Sequence, residues 1–160
     1  MKTILAPIDF SGATDAVVEE AAALARANAG RVVLLTVIQP PVIAHEYAAV
    51  MENLEEITAA GERQAARKLT ELEHKLQVEF ISTESVQLRG APIPLIVEQA
   101  KKFDADYIVM GSHGHTALYD LLVGSTTHGV LMRAPCPVVI VPAVQNAKSK
   151  KAQKPLAAVA

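Results

Sequence analysis

The amino-acid sequence predicts an α/β fold, an open five-stranded parallel sheet with helices on both faces. Three observations carry this. Aliphatic segments alternate with segments of helical period in the order β-α-β-α-β-α-β-α-β, and strands separated by helices run parallel through right-handed crossovers. The run RVVLLTVI at Arg31–Ile38 is β-branched and apolar on both faces, as in a strand buried inside a parallel sheet. The length of 160 residues, 51% hydrophobic and 20% charged, suits one self-sufficient core and is too short for two full domains.

Each element has its own local reason. Residues 2–8 form a short apolar run ended by Pro7, Asp9 and Ser11, a first strand. Over residues 13–29, Val17, Ala21, Leu24 and Asn28 make one helical stripe, with Ser11 expected to cap its start and Gly30 expected as a left-handed C-cap. The second strand, Arg31–Ile38, stops at Gln39-Pro40-Pro41. A long helix follows, in which Tyr47, Val50, Met51, Leu54, Ile57, Gly61, Ala65, Leu69, Leu72 and Leu76 step by threes and fours. Residues 78–88 alternate loosely and read as a third strand. Pro92 suits the first turn of a third helix lined by Leu95, Ile96, Ala100 and Phe103. Residues 106–110 (DYIVM) form a fourth strand running into Gly111. A loop and fourth helix fill residues 112–134, and residues 138–141 between Pro137 and Pro142 are the fifth strand. From Val144 the pattern dissolves into a segment with four lysines and no acid, which reads as a flexible tail.

Composition excludes several function classes. Aromatic residues are 4% with no Trp, leaving little for base stacking, and the net charge is -2, so no nucleic-acid partner is expected. Within that total the tail carries +4 and the body -6. The single cysteine, Cys136, excludes an intrachain disulfide and a cysteine-based zinc site, and reads as a small buried apolar residue. The first apolar stretch is too short for a signal peptide or a membrane span, so no membrane insertion and a cytoplasmic location are expected.

Open α/β sheets bind ligands beyond the carboxyl ends of their strands. The strongest chemical signal lies there, in GSHGHTALYDLLVGST from residue 111 to 126. Gly111 lets the chain turn sharply off the fourth strand, and Gly114 lets backbone amides approach an anion without an intervening Cβ. Gly124-Ser125-Thr126 resembles a helix start, where free N–H groups and the dipole favour phosphate. Together they read as a cradle for a polyphosphate. No Gly-Lys pair exists for a Walker A loop, no G-x-G-x-x-G follows the first strand, and no G-x-S-x-G is present. His113 and His115, with His128, have a metal-like spacing, but no carboxylate or cysteine completes a set, so no protein-built metal site is expected.

Three segments carry a family resemblance: ILAPIDFS near the start, G-x2-G-x9-G-S at 111–125, and APCPVVIVP at the end of the folded part. With this order and spacing the chain resembles the universal stress proteins, in the subgroup whose glycine motif marks ATP binding. The resemblance covers about residues 1 to 143, leaving 144–160 as the tail. It implies a Rossmann-like sheet, of the kind in adenine nucleotide alpha hydrolases, in the order 3-2-1-4-5. The order then reverses between the first and fourth strands, where the pattern had already pointed.

The resemblance also implies a ligand and its contacts. ATP is the cofactor expected, with AMP or another adenylate as alternatives and Mg²⁺ held mainly by the phosphates. Asp9 corresponds to the family's contact at the adenine and ribose end, Pro7 places a backbone carbonyl beside the ribose, and the Val37 main chain reads the adenine edge. Gly111, Gly114, Gly124, Ser125 and Thr126 correspond to ribose and phosphate contacts, with His113, His115 and Thr116 in the intervening loop. The fifth strand, Val138, Val139, Ile140 and Val141, is implied to pair with its twin in a homodimer, which would cover an apolar edge. No Lys or Arg lies between Lys102 and Arg133, so the cradle lacks an evident cation for phosphoryl transfer. The expectation is therefore a regulatory, stress-response binding module rather than an efficient enzyme, with a regulatory protein as a further partner. The alternatives are a slow ATPase or autophosphorylating phosphotransferase, and a nucleotide-free interaction module.

Overall fold

The structure is a computed structural model, and it describes residues 1–40, 51–112 and 123–142, with backbone only for 51–54. The elements are β1 (Thr3–Pro7), α1 (Thr14–Ala27), β2 (Arg31–Ile38), α2 (Met51–Val78), β3 (Ser82–Arg89), α3 (Pro92–Lys102), β4 (Tyr107–Gly111), α4 (Ser125–Leu131) and β5 (Val138–Val141). They form one five-stranded sheet in the order β3-β2-β1-β4-β5, with every neighbouring pair parallel.

The central strands are buried on both faces because their side chains alternate between two apolar layers. Ile4, Ala6 and Ile8 of the β1 segment point with Val32, Leu34 and Val109 into a core closed by α1 and α2. Leu5, Val33, Leu35, Ile108 and Met110 point the other way, against Ile96 and Ala100 of α3 and Val130 of α4. The sheet is thus covered by α1 and α2 on one side and by α3 and α4 on the other.

Local expectations shift at three places. The buried stripe of α1 is Val17, Val18, Ala21, Ala22 and Ala25, while Leu24 is only partly buried and Asn28 is exposed. The left-handed residue after α1 is Ala29, with φ 45°, and not Gly30. Gly30 stands one position later, where its N–H donates to Ala25 O at 2.8 Å. Glycine is required there by proximity: a Cβ would sit 2.5 Å from the carbonyl oxygen of Lys2.

The third shift concerns α2 and β3. Residues 78–81 do not begin a strand: α2 runs to Val78, the chain turns at Phe80 with φ 60°, and β3 starts at Ser82. Ala65, Leu69 and Leu76 of the expected stripe are buried, but Ile57 is exposed. A helix of 28 residues spans about 42 Å, while a strand of 8 residues spans about 26 Å. The helix overhangs the sheet, so its early turns lack a strand beneath them. Tyr47 and Val50 lie outside the described residues, as does the whole of 143–160.

Candidate functional site at the carboxyl end of the sheet

The strand order turns back between β1 and β4, and the chain leaves these two strands towards opposite faces. That divergence opens a crevice at their carboxyl ends. The cleft there has a volume of about 290 Å³.

One wall is the turn from β1 to α1. Ile8 N–H donates to Leu35 O at 2.8 Å, and Thr36 Oγ1 donates to Ile8 O at 2.9 Å, so the chain stays tied to β2 one residue past Pro7. Ser11 N–H donates to the Asp9 carboxylate at 3.0 Å, a local turn that holds the acid at the cleft rim. Phe10 between them has φ 59°, a conformation bulky residues rarely adopt. Its ring packs against the core beneath α1 and α2. Ser11 does not cap α1 as expected. The N-cap is Ala13 and no side chain caps the helix. The Ser11 carbonyl accepts from Thr14 N–H at 3.1 Å, and its hydroxyl accepts from Ala13 N–H at 3.4 Å. The chain needs two more residues after Ser11 to finish the turn that Phe10 begins.

The other wall is the end of β4 and the start of α4. Gly124 N–H donates to Ser112 O at 2.7 Å, and Ser112 N–H donates to Val141 O at 2.8 Å. Thr127 Oγ1 donates to Gly111 O at 2.8 Å. These bonds pin the first turn of α4 to the end of β4. Gly124 is the N-cap with extended backbone, and it brings no side chain to occupy the helix's first N–H groups.

Between the walls the lining includes Leu35, Val37, Ile96 and Met110. Of the residues singled out in the sequence, Pro7, Asp9, Val37, Gly111, Gly124, Ser125 and Thr126 line this one cleft. His113, Gly114, His115 and Thr116 lie outside the described residues. Val138, Val139, Ile140 and Val141 are half-buried in β5, at the sheet edge beside β4. Among the described lining residues, Asp9 alone carries a formal charge. Sequence reasoning missed Thr14 and Thr127, which also line the cleft. Thr127 had a signal, its place in the run GSTT; the burial of Thr14 had none.

No group of three His, Cys, Asp or Glu side chains arranged to hold a metal ion occurs among the described residues. Among them, too, no helix is long and apolar enough to cross a membrane.

Known proteins share this fold. A family model described as the Universal stress protein family matches residues 1–142. Universal stress protein A homolog 1 of Coxiella burnetii is 35% identical over 143 residues, covering 88% of this chain and 95% of its own. The solved universal stress protein UspA from Lactobacillus plantarum superposes with a TM-score of 0.78 at 26% identity, covering 88% of this chain and 97% of its own. A universal stress protein solved in complex with cAMP superposes with a TM-score of 0.66 at 22% identity, over 89% of this chain and 97% of its own. With a family model matching residues 1–142 of the 160 and a relative 35% identical over nearly its whole length, the chain belongs to the universal stress protein family.

Proposed function

We propose that this universal stress protein is a regulatory nucleotide-binding module whose cleft takes an adenylate, ATP foremost. The observation that carries the reading is the meeting, in one crevice, of a largely apolar floor, an acid at one rim and a hydroxyl-bearing helix start at the other. Small-molecule sites are mainly apolar clefts of about 300 Å³ and upward with a few placed polar groups. The groups present fit an adenylate. The floor of Leu35, Val37 and Met110 suits a base, the Asp9 carboxylate can accept from ribose hydroxyls, and Ser125 and Thr126 can donate to phosphate. Mg²⁺ would be held by the phosphates themselves. The cAMP-bound neighbour adds that this fold has room for an adenine nucleotide, its likeness being one of fold alone.

The same lining argues for holding over turnover. Amide and hydroxyl contacts that bind ground and transition states alike do not accelerate chemistry. The decisive experiment is mass spectrometry of freshly purified, denatured protein, followed by calorimetric titration with ATP and AMP. Co-purified or titratable adenylate is expected, with hydrolysis slow or nil. Protein that neither carries nor binds adenylate at millimolar concentration would sink the reading, and rapid steady-state hydrolysis would replace it with an ATPase.

Homodimerisation belongs to the same proposal. β5 is an edge strand with four half-buried aliphatic side chains, a surface prone to pairing. Light scattering should return twice the chain mass, and Ile140→Lys should shift it to the monomer. Residues 144–160 are proposed as a tail outside the folded domain of 1–143, so removing them should leave adenylate binding intact.

A further inference from the structure

Three residues of the cleft lining come from one strand end. Leu35 and Val37 belong to β2, and Gln39 follows two residues later. Side chains alternate along extended backbone, so residues 35, 37 and 39 share a face. The core follows this alternation: Leu35 and Val37 pack in the layer of α3 and α4, while Leu34 packs in the layer of α1 and α2. Two constraints carry the extended backbone past the end of β2. Ile38 O accepts from Gly90 N–H at 2.9 Å, which ties the strand end to the turn after β3. Pro40 comes next, and the residue before a proline is held to extended backbone. Gln39 is exposed as well as part of the lining, so its side chain stands open at the rim, within reach of a molecule in the cleft.

That side chain differs in kind from the other polar groups of the described lining. The hydroxyls of Ser125 and Thr126 rotate, and donate or accept as the partner requires. The ionised Asp9 carboxylate accepts alone. Gln39 brings the single carboxamide among the described lining residues, a planar group that holds an acceptor and a donor side by side. Its match is a partner with a donor beside an acceptor in one plane. Ionised phosphate oxygens are acceptors, and ribose hydroxyls have no fixed pattern. The edge of adenine fits: its exocyclic amine donates, the adjacent ring nitrogen accepts, and glutamine reads the two together. The assignment follows from this pattern of donors and acceptors, whichever way the rest of the ligand lies.

We infer that Gln39 is a specificity-determining residue of the cleft. Its amide oxygen accepts from the exocyclic amine of a bound adenylate, and its amide N–H donates to the adjacent ring nitrogen. The inference rests on the adenylate reading above and adds to it the side chain that recognises the base. Selectivity for the amine is the property it predicts, more than affinity as such.

The test uses the full chain, with Gln39→Met to remove both polar groups at similar length and Gln39→Glu to keep the acceptor. AMP and purine riboside 5′-monophosphate, which differ by the exocyclic amine, are titrated calorimetrically into each protein. The parent should prefer AMP. Gln39→Met should cut that preference about fivefold, the range of one neutral hydrogen bond. Gln39→Glu should keep the preference within about twofold of the parent, because its oxygen still accepts from the amine. The inference is overturned if Gln39→Met keeps the parent's preference, or if it weakens both ligands equally, since the amide would then meet some part other than the amine. It is overturned too if Gln39→Glu loses the preference as fully as Gln39→Met does, which would assign the effect to something other than the acceptor. A parent protein that binds both nucleotides equally well would exclude amine recognition altogether. Failure of the parent to bind either nucleotide would instead remove the adenylate reading itself.

Discussion

The Lys68 ammonium lies 5.2 Å from the centre of the Phe10 ring, joining α2 to the turn that carries Asp9. Phe10 holds a left-handed backbone, φ 59°, and its packing against the core must offset that strain. Cation–π pairs at exposed sites contribute about 0.5–1 kcal/mol. A double-mutant cycle of Phe10→Leu and Lys68→Met should therefore return a coupling of about 0.5–1 kcal/mol in urea unfolding. Strictly additive effects would show the ring and the ammonium to be independent.

Gly30 has no room for a side chain. A Cβ would stand 2.5 Å from Lys2 O, which already accepts from Arg31 N–H at 2.8 Å, and 3.1 Å from Ile4 Cδ1. A backbone carbonyl at the entry to the central strand β1, held by the Arg31 N–H, cannot step aside cheaply. Gly30→Ala should lower stability by about 1–3 kcal/mol. The urea midpoint should fall while the slope of the transition stays constant.

Lys2 and Asp106 meet at 2.6 Å at the amino end of the sheet, where Thr3 N–H also donates to the same carboxylate at 2.8 Å. The hydrogen bond from Lys2, then that from Thr3 N–H, holds the Asp106 carboxyl below its ordinary 3.8. The stability this contributes is present above pH 3.8 and is lost as pH falls through the lower folded value. The hydrogen bond to Asp106 raises the Lys2 ammonium above 10.5, so its contribution is present below that pH and lost as pH rises through the higher folded value. Asp106→Asn should be less stable than the parent near neutrality, with the two stability curves converging in acid. Curves that stay parallel from pH 7 to pH 2 would exclude the linkage.

The Cys136 thiol is pushed above its ordinary 9.0, first by burial and then by the charge of Asp106. Thiolate is the reactive form. Iodoacetamide should modify folded Cys136 more slowly than free cysteine at pH 8, with a rate midpoint above pH 9. Reaction at the rate of the free amino acid would contradict the burial.

What the sequence could reveal follows from which forces act locally. Val32, Val33, Leu34 and Leu35 are all at or below 1% exposure, as an unbroken aliphatic run requires when helices cover both faces of its strand. The carboxyl-end cleft was legible for a similar reason: Gly111, Gly124 and Asp9 sit where topology forces the chain to diverge. The junction of α2 and β3 was not legible. Val78 and Phe80 are apolar yet 63% and 98% exposed, so the local pattern there points to a strand that tertiary packing does not build.

Ser112 commits its two backbone groups in opposite directions, its N–H to Val141 O in β5 and its carbonyl to Gly124 N–H at the start of α4. The sheet margin and the mouth of the cleft are therefore wired through one residue. The Ser112 bonds extend the β4–β5 ladder by one step and end at the first turn of α4. A shift of either element would therefore reach the other across the backbone of a single residue.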